Sequence, residues 1–429
     1  MGSSTADRSI TPLLLMQFFY MLAIGISVPV YPDVMTGTTV AQGDKVKGGT
    51  WMQISMFVNA GLEFVSASFL GELSDRFGRR PFLILASLGQ CLDFTIAGFA
   101  ATDSETYHVS FKHGAQAVVV ARAIAGLCGN LNIFTRASVG DLSRPADSAK
   151  NFAKLGASIG IAMILGPGIG GIYYKIRKRL RSPMMVAVAV NALNIIIAWR
   201  MEEPLLQENR SKTITWKNAS PIGSIKFLFS QKFLVFFGSM CLFDSFALQL
   251  LISTIVPYTQ EIYGWGVAEA AMLMVIFGIC LVLTIIFLLP LILKQSSTLF
   301  AVQLGYAITS SGYFLFALAY YFDKSGMSLY VLIAYYSIGS ISNPTQLSLA
   351  SLCVDASDQG KLQGANGSLD TIGKILGPLI AASVFSPSVK AGMPNLLWWI
   401  ASIFMLPGLV LSCMIVKFLP DGVNLREFV

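Results

Sequence analysis

The chain has 429 residues, 54% of them hydrophobic and 12% charged, with a mean hydropathy of +0.66 and a formal net charge of +7. A soluble domain carries about 25% charged residues, so half that fraction excludes an ordinary water-solvated globule and points to lipid as the solvent. The basic residues lie in short connections between apolar runs, which argues against nucleic acid as their target. Segments of about 20 apolar residues cross a ~30 Å hydrocarbon core as helices. Such runs are predicted at roughly 10–31, 50–73, 81–101, 115–137, 152–174, 183–200, 233–257, 267–293, 298–321, 328–351, 364–386 and 395–418. The expectation is an all-α polytopic membrane protein: twelve transmembrane helices in two pseudo-symmetric six-helix bundles. The N-terminal bundle spans 1–200, a cytoplasmic central linker 201–226, and the C-terminal bundle 227–429.

Span one carries Tyr20 near its middle. Span two repeats Ser55, Asn59 and Glu63 every four residues, one polar stripe turned toward a bundle interior. Between spans two and three stands "GELSDRFGRRP" (71–81), a dense run of charge in an oily chain. Gly71 and Gly78 permit a close helix approach and a sharp turn. Asp75 is placed to meet Arg76, Arg79 or a helix N-terminus, and the arginines, Arg80 included, hold the loop on the inner face. A plain topological anchor is one reading, but an anchor does not need this spacing. Span three holds Asp93. With Gly78 as the turn, Glu63 and Asp93 are equally far from it, on the order of 20 Å at 1.5 Å per residue, so both lie near mid-membrane.

The two histidines, His108 and His113, share one outer loop and make no zinc set. Span four places Arg122, Gly126 and Asn130 on one face and Arg136 toward its inner end. Span five contains "GPGIGG" (166–171), which matches Gly-x-Gly-x-x-Gly; no strand precedes it and Pro167 lies inside it, so dinucleotide binding is rejected in favour of a close helix contact. "KIRKRLRS" (175–182) then sets five cations on the predicted outer side, either as a local exception or as an anion-attracting rim. The inner segments hold 19 of the 30 Lys and Arg, which argues for cytoplasmic termini.

In the second half, span seven carries Asp244 and Gln249. Span ten carries Tyr335, Tyr336, Asn343 and Gln346, and span eleven an i,i+4 pair, Asp370 and Lys374. The six cysteines are scattered, five of them within spans, and read as small core residues. "KNFAKLGASIGIAMILGP" (150–167) and "KLQGANGSLDTIGKILGP" (361–378) share Lys, Gly and Ile-Leu-Gly-Pro in register, 211 residues apart. Two bundles related by an axis along the membrane normal, with a transport path between them, would produce such a repeat.

These motifs resemble the major facilitator superfamily. Gly-x-x-x-Asp-Arg-x-Gly-Arg-Arg between spans two and three is its signature, and "RAIAGLCGN" (122–130) is similar to its fourth-helix arginine motif. "GDLSRPADSAKNFAKLGASIGIAMILGPGIGG" (140–171) and "QGKLQGANGSLDTIGKILGP" (359–378) resemble the drug:proton antiporters, bacterial tetracycline efflux pumps especially. The resemblance implies that the Asp75 loop stabilises an outward-open state by contacting the C-terminal half. It also implies that Gly166, Pro167, Gly170 and Gly171 mark antiporters, and that Asp93 in "CLDF" is the acidic site of helix three. Departures are Ala153 and Ala162 for two motif glycines, and "KQSST" for the matching loop of the second half. Tyr20 stands where the pumps carry an acid, and Glu63 where they carry an amide.

An ionisable side chain at mid-bilayer costs ~2.5–3.5 kcal/mol or more, so intramembrane charges are functional suspects. Asp93, Glu63 and Arg122 are the proton-coupling candidates, a static ion pair being the rival reading. Tyr20, Asn59, Asn130, Asp244, Gln249, Tyr336, Asn343 and Gln346 are the substrate-binding candidates. The expected function is secondary active transport of a small amphipathic organic solute by alternating access, as a proton-coupled antiporter. An importer or facilitator of a vitamin, sugar or organic anion is the alternative, and a non-transporting receptor a remoter one. No enzyme, cofactor, metal or nucleic acid is expected. A proton gradient, a small-molecule substrate and the lipid bilayer are the partners, for a monomer in the plasma membrane or an organelle membrane.

Overall fold

A helix made of apolar residues satisfies its own backbone hydrogen bonds, which lipid cannot do, so long apolar runs become helices. The computed structural model describes residues 9–37, 44–100, 114–143, 145–210, 227–354 and 359–418, and among them every regular element is helical. Eight helices precede the linker: α1 (Thr11–Ser27), α2 (Tyr31–Thr36), α3 (Lys45–Phe77), α4 (Arg80–Ala100), α5 (Gly114–Cys128), α6 (Leu131–Leu142), α7 (Pro145–Arg177) and α8 (Arg181–Arg200). After it come α9 (Lys232–Ile262), α10 (Val267–Leu283), α11 (Leu289–Gln295), α12 (Thr298–Phe322), α13 (Ser328–Gly339), α14 (Ser342–Leu352), α15 (Gln359–Lys390) and α16 (Leu396–Met414).

Each of the twelve predicted segments is helical. Among the described residues, nine helices are long and apolar enough to span a membrane, ten with the pair Lys45–Ala67 and Phe69–Phe77, bent by 47°. Helix α1, with 17 residues, is a shorter apolar helix. Several helices outrun their apolar cores: α3 and α7 have 33 residues each, about 50 Å at 1.5 Å per residue, so their ends project beyond the ~30 Å core.

The interruptions have local causes. Pro29 follows the end of α1, and Pro32 opens α2 within its first turn, where a missing N–H is harmless. Gly129 at φ +82° ends α5, and the Asn130 side chain accepts from the Asn132 N–H to cap α6. Asn130 is therefore not on a continuous face with Arg122 and Gly126, contrary to the expectation from spacing. A five-residue π-turn, Thr284–Leu288, precedes Pro290, and Pro344 sits in the first turn of α14 just past the break from α13.

The chain divides into two units, Met1–Ser220 with Gly266–Val275, and Pro221–Trp265 with Ile276–Val429. Inside the first, α1 packs on α7 and α8, and α4 on α5 and α8. Inside the second, α9 packs on α15 and α16, and α12 on α13 and α16. These are the same pairings in the same order, as the sequence repeat requires. Where "ILGP" recurs, both units bring backbones together. A Cβ on Gly166 of α7 would stand 2.7 Å from the Gly25 Cα of α1, and one on Gly377 of α15 would stand 2.8 Å from the Gln249 carbonyl carbon of α9.

Candidate functional site

Polar groups inside such bundles must find partners, and the candidate charges of the first unit lie in two hydrogen-bonded sets. Asp93 on α4 is 0% exposed. Its Oδ2 lies 3.3 Å from Arg122 Nε and accepts from Gln90 Nε2 at 3.0 Å. Its Oδ1 accepts from the Tyr31 hydroxyl at 2.9 Å, and that hydroxyl accepts in turn from Arg122 Nε at 3.0 Å. The guanidinium lies over the Tyr31 ring, 4.3 Å from its centroid. Arginine, tyrosine and carboxylate thus close a ring of two hydrogen bonds and one ion pair, with glutamine as a further donor to the carboxylate.

Glu63 on α3 belongs to the second set. Its Oε1 accepts from Asn130 Nδ2 at 3.0 Å, and Asn130 Oδ1 accepts from Asn132 Nδ2 at 2.8 Å. Asn132 Oδ1 accepts from Gln17, whose Oε1 accepts from the Thr135 hydroxyl at 2.6 Å. Tyr20 is buried in α1, in the same unit. The polar stripe of α3 is met by α5: Asn59 Nδ2 donates to the Arg122 carbonyl at 2.9 Å, and Ser66 Oγ to that of Gly126 at 2.8 Å. A Cβ on Gly126 would sit 2.5 Å from the Asn59 carbonyl oxygen, so a glycine is needed for this contact. Ser55 turns back to its own helix, donating to the Met52 carbonyl at 2.7 Å.

The loop between α3 and α4 centres on Arg79. Its Nη1 meets Asp75 Oδ1 at 2.5 Å and Ser74 Oγ at 2.6 Å, while Nε donates to Asp141 Oδ2 at 2.8 Å. Glu203, just past α8, accepts the backbone N–H of Arg79 at 2.6 Å and of Arg80 at 3.1 Å, capping α4. Gly78 turns at φ +99°, and a Cβ there would lie 2.6 Å from Glu203 Oε2. Gly71 lies inside α3 with nothing within 4 Å of a Cβ, so the close approach expected of it belongs to Gly78 alone. Arg76 lies over the Phe77 ring at 5.5 Å and Arg80 over Trp199 at 5.7 Å.

In α7, Pro167 packs on Gly25, a Cβ on Gly170 would collide with the Ile26 carbonyl oxygen, and Gly171 faces Ala271 of the same unit. The "GPGIGG" run lies within a helix, as the rejection of a nucleotide loop requires. The second unit holds Asp244, with Asn343 Nδ2 at 3.5 Å. Gln346 Oε1 accepts from the Tyr306 hydroxyl at 2.8 Å, the Tyr336 and Tyr313 hydroxyls lie 3.0 Å apart, and Tyr335 meets Ser311 at 2.9 Å. Gln249 is buried against Gly377. Asp370 and Lys374 form their i,i+4 pair at 2.8 Å.

The cysteines are all free, but Cys241 alone is buried and Cys413 is exposed, so the core role expected of them fits one position. Apolar thiols also suit a lipid-facing surface. No group of three metal-ligating side chains occurs among the described residues, and His108 and His113 lie outside them. Sequence reasoning missed Tyr31, Gln90, Gln17, Asn132 and Glu203. A glutamine in each of two apolar runs, and Tyr31 at the end of the first, were the available signals.

Comparison with known proteins agrees with this architecture. The Major Facilitator Superfamily profile matches residues 13–378. The tetracycline resistance protein, class C, of Escherichia coli is 26% identical over 380 residues, 88% of this chain and 89% of that one. The human organic anion transporter MFSD10 superposes with a TM-score of 0.67 at 18% identity, covering 96% of this chain and 100% of the other. The inward-open xylose transporter XylE from E. coli does so with a TM-score of 0.69 at 14% identity, covering 97% and 98%. With its helical repeat, its Asp75–Arg80 loop and a profile match over most of its length, the chain belongs to the Major Facilitator Superfamily and is a transporter rather than an enzyme.

Proposed function

We propose that this transporter is a proton-coupled antiporter that exports a small amphipathic organic solute. The observation that carries the reading is Asp93, a carboxylate fully buried in α4 and held by Arg122, Tyr31 and Gln90. Protonating it removes one charge from the ring, weakens the ion pair and frees Arg122 for another partner. A buried group whose charge state changes a local contact biases a conformational equilibrium, and a gradient that sets its protonation does work through it. Glu63, bonded to Asn130, is a second carboxylate in the same unit and takes a supporting role. The identity with a tetracycline resistance protein supports efflux, while Tyr20 in place of an acid argues against carrying tetracycline itself over to this chain. The proton gradient is the energy source, with no cofactor, in a monomer of the plasma membrane with cytoplasmic termini.

The test starts from a thermal-shift screen of the purified protein against drugs, vitamins and organic anions. The ligand found is then followed in proteoliposomes under an imposed pH gradient. Antiport predicts accumulation when the interior is the acidic side. Accumulation with an acidic exterior would mark import by symport, and a lack of labelled counterflow would mark a receptor. Asp93→Asn is expected to abolish gradient-driven accumulation while sparing ligand binding, and Glu63→Gln to do so less completely. Wild-type coupling in Asp93→Asn would leave that carboxylate a structural ion-pair partner.

A further inference from the structure

The link between α7 and α8 carries charge that nothing beside it neutralises. Lys175, Arg177, Lys178 and Arg179 are exposed, and Arg181 lies over the Phe99 ring of α4, 4.1 Å from its centroid. Among the described residues, none of these five cations forms an ion pair with a carboxylate. Lys175 and Arg177 stand in the last turn of α7, where they suit the negative end of the helix dipole. Lys178 and Arg179 lie past that turn, so the dipole does not account for them. Lys178, at φ 50°, is also the one non-glycine residue of positive φ among the described residues, at the step past a helix end where glycine is usual. A lysine there keeps a cation at the expense of backbone strain that a glycine would remove.

The face of α7 that leads up to this link is apolar and open. Ile161 is 52% exposed, Leu165 45%, Ile172 63% and Ile176 71%. At about 100° per residue these four positions fall within about 60° of one another, and Lys175 stands next to them on the helix surface. From Ile161 to Ile176 the stripe rises about 22 Å, longer than the ~15 Å of hydrocarbon in one leaflet. We propose that the α7–α8 link and this stripe form a binding site for an anionic glycerophospholipid, with the phosphate held by Arg177, Lys178, Arg179 and Arg181 and one acyl chain laid along the isoleucines. Charge complementarity selects the lipid class. A zwitterionic headgroup brings its own cation to five others, whereas a phosphatidylglycerol headgroup brings net negative charge. Guanidinium groups suit phosphate because their N–H forks match its oxygens in pairs. The site depends neither on which leaflet the link faces nor on what the protein transports.

The experiment uses the full chain in neutral detergent. Dioleoylphosphatidylglycerol is the probe, dioleoylphosphatidylcholine the zwitterionic comparison, and native mass spectrometry counts the lipids bound. The wild type should hold one phosphatidylglycerol at least tenfold more tightly than phosphatidylcholine. The combined variant Arg177→Gln, Lys178→Gln, Arg179→Gln should lose that preference and keep the wild-type melting temperature, since all three side chains are exposed. A control variant with the same change in charge, Lys232→Gln, Lys294→Gln, Lys324→Gln, alters three exposed lysines of the second unit and should bind as the wild type does. Lys178→Gly separates binding from folding: it should melt no lower than the wild type yet hold phosphatidylglycerol severalfold more weakly. Equal affinity of the wild type for both lipids, or wild-type binding by the first triple variant, would overturn the site. Equal losses in the two triple variants would reduce it to net charge. Displacement of the lipid by glycerol 3-phosphate at matched concentration would make it a site for free anions and overturn the lipid assignment.

Discussion

Arg79 and Asp75 share one ion pair yet differ in environment: the arginine side chain is 10% exposed and the aspartate 46%. Removing the exposed partner lets water replace it, so Asp75→Asn should change unfolding stability by under about 1 kcal/mol. Removing the buried partner leaves Asp141 and Ser74 without their donor, and Arg79→Ala should cost on the order of 3 kcal/mol. Chemical denaturation of the two variants in the same detergent would show the asymmetry. Equal losses would mean that the loop is held by something else. If Asp75→Asn also transports normally, the motif reduces to a topological anchor. The i,i+4 pair was legible in the sequence because helix geometry brings such residues together. Glu203 was not: it caps α4 from more than a hundred residues away, and no local spacing encodes that.

At the scale of elements, α7 carries an internal control. A Cβ on Gly166 would collide with the α1 backbone at Gly25, whereas one on Gly156 meets nothing within 4 Å. Gly166→Ala should therefore destabilise by about 1–3 kcal/mol through overpacking, and Gly156→Ala should be neutral or stabilising by about 0.5–1 kcal/mol through helix propensity. Thermal melts of the two variants would compare them directly. The turn between α12 and α13 adds a pH dependence. Burial opposes the ionisation of Asp323, but hydrogen bonds from Ser325 and Ser328 outweigh it and hold its carboxyl below the usual range. A depressed carboxyl contributes stability above its unfolded value, about 3.9, and loses it as pH falls through the folded one. Asp323→Asn should thus destabilise the fold modestly at pH 7, by about 1 kcal/mol or less for so exposed a group, lower the melting temperature accordingly, and remove the acid-side part of the decline. A pH-independent difference between the two proteins would assign the effect to shape instead.

For the whole molecule, orientation in the membrane is the open prediction. Lys175, Arg177, Lys178 and Arg179 are exposed, and the link from α7 to α8 is tight, with Lys178 at φ 50°. If both termini are cytoplasmic, a single cysteine at Arg179→Cys, in a background without the six native ones, should react with an impermeant thiol reagent from outside only. Reaction solely from the cytoplasmic side would invert the topology and restore the positive-inside rule at this link.

The sequence by itself determined the helical membrane class, the positions of the spans, the internal repeat and the family. Each of these follows from hydropathy, which depends on the residues of one segment, or from a motif read along a single stretch. It also determined that Asp93, Glu63, Arg122 and Asp244 needed explaining, because charge within an apolar run is costly wherever it points. Tertiary structure alone decided which of them found partners. Asp93 received Arg122, Tyr31 from the short α2, and Gln90, while Asp244 received the Asn343 amide and, among the described residues, no cation. Gly129 broke the fourth span and turned Asn130 into a helix cap that reaches Glu63. The physical reason is common to all three: lipid makes a backbone choose helix from its own composition, but pairing between buried polar groups depends on which helices cross and at what depth.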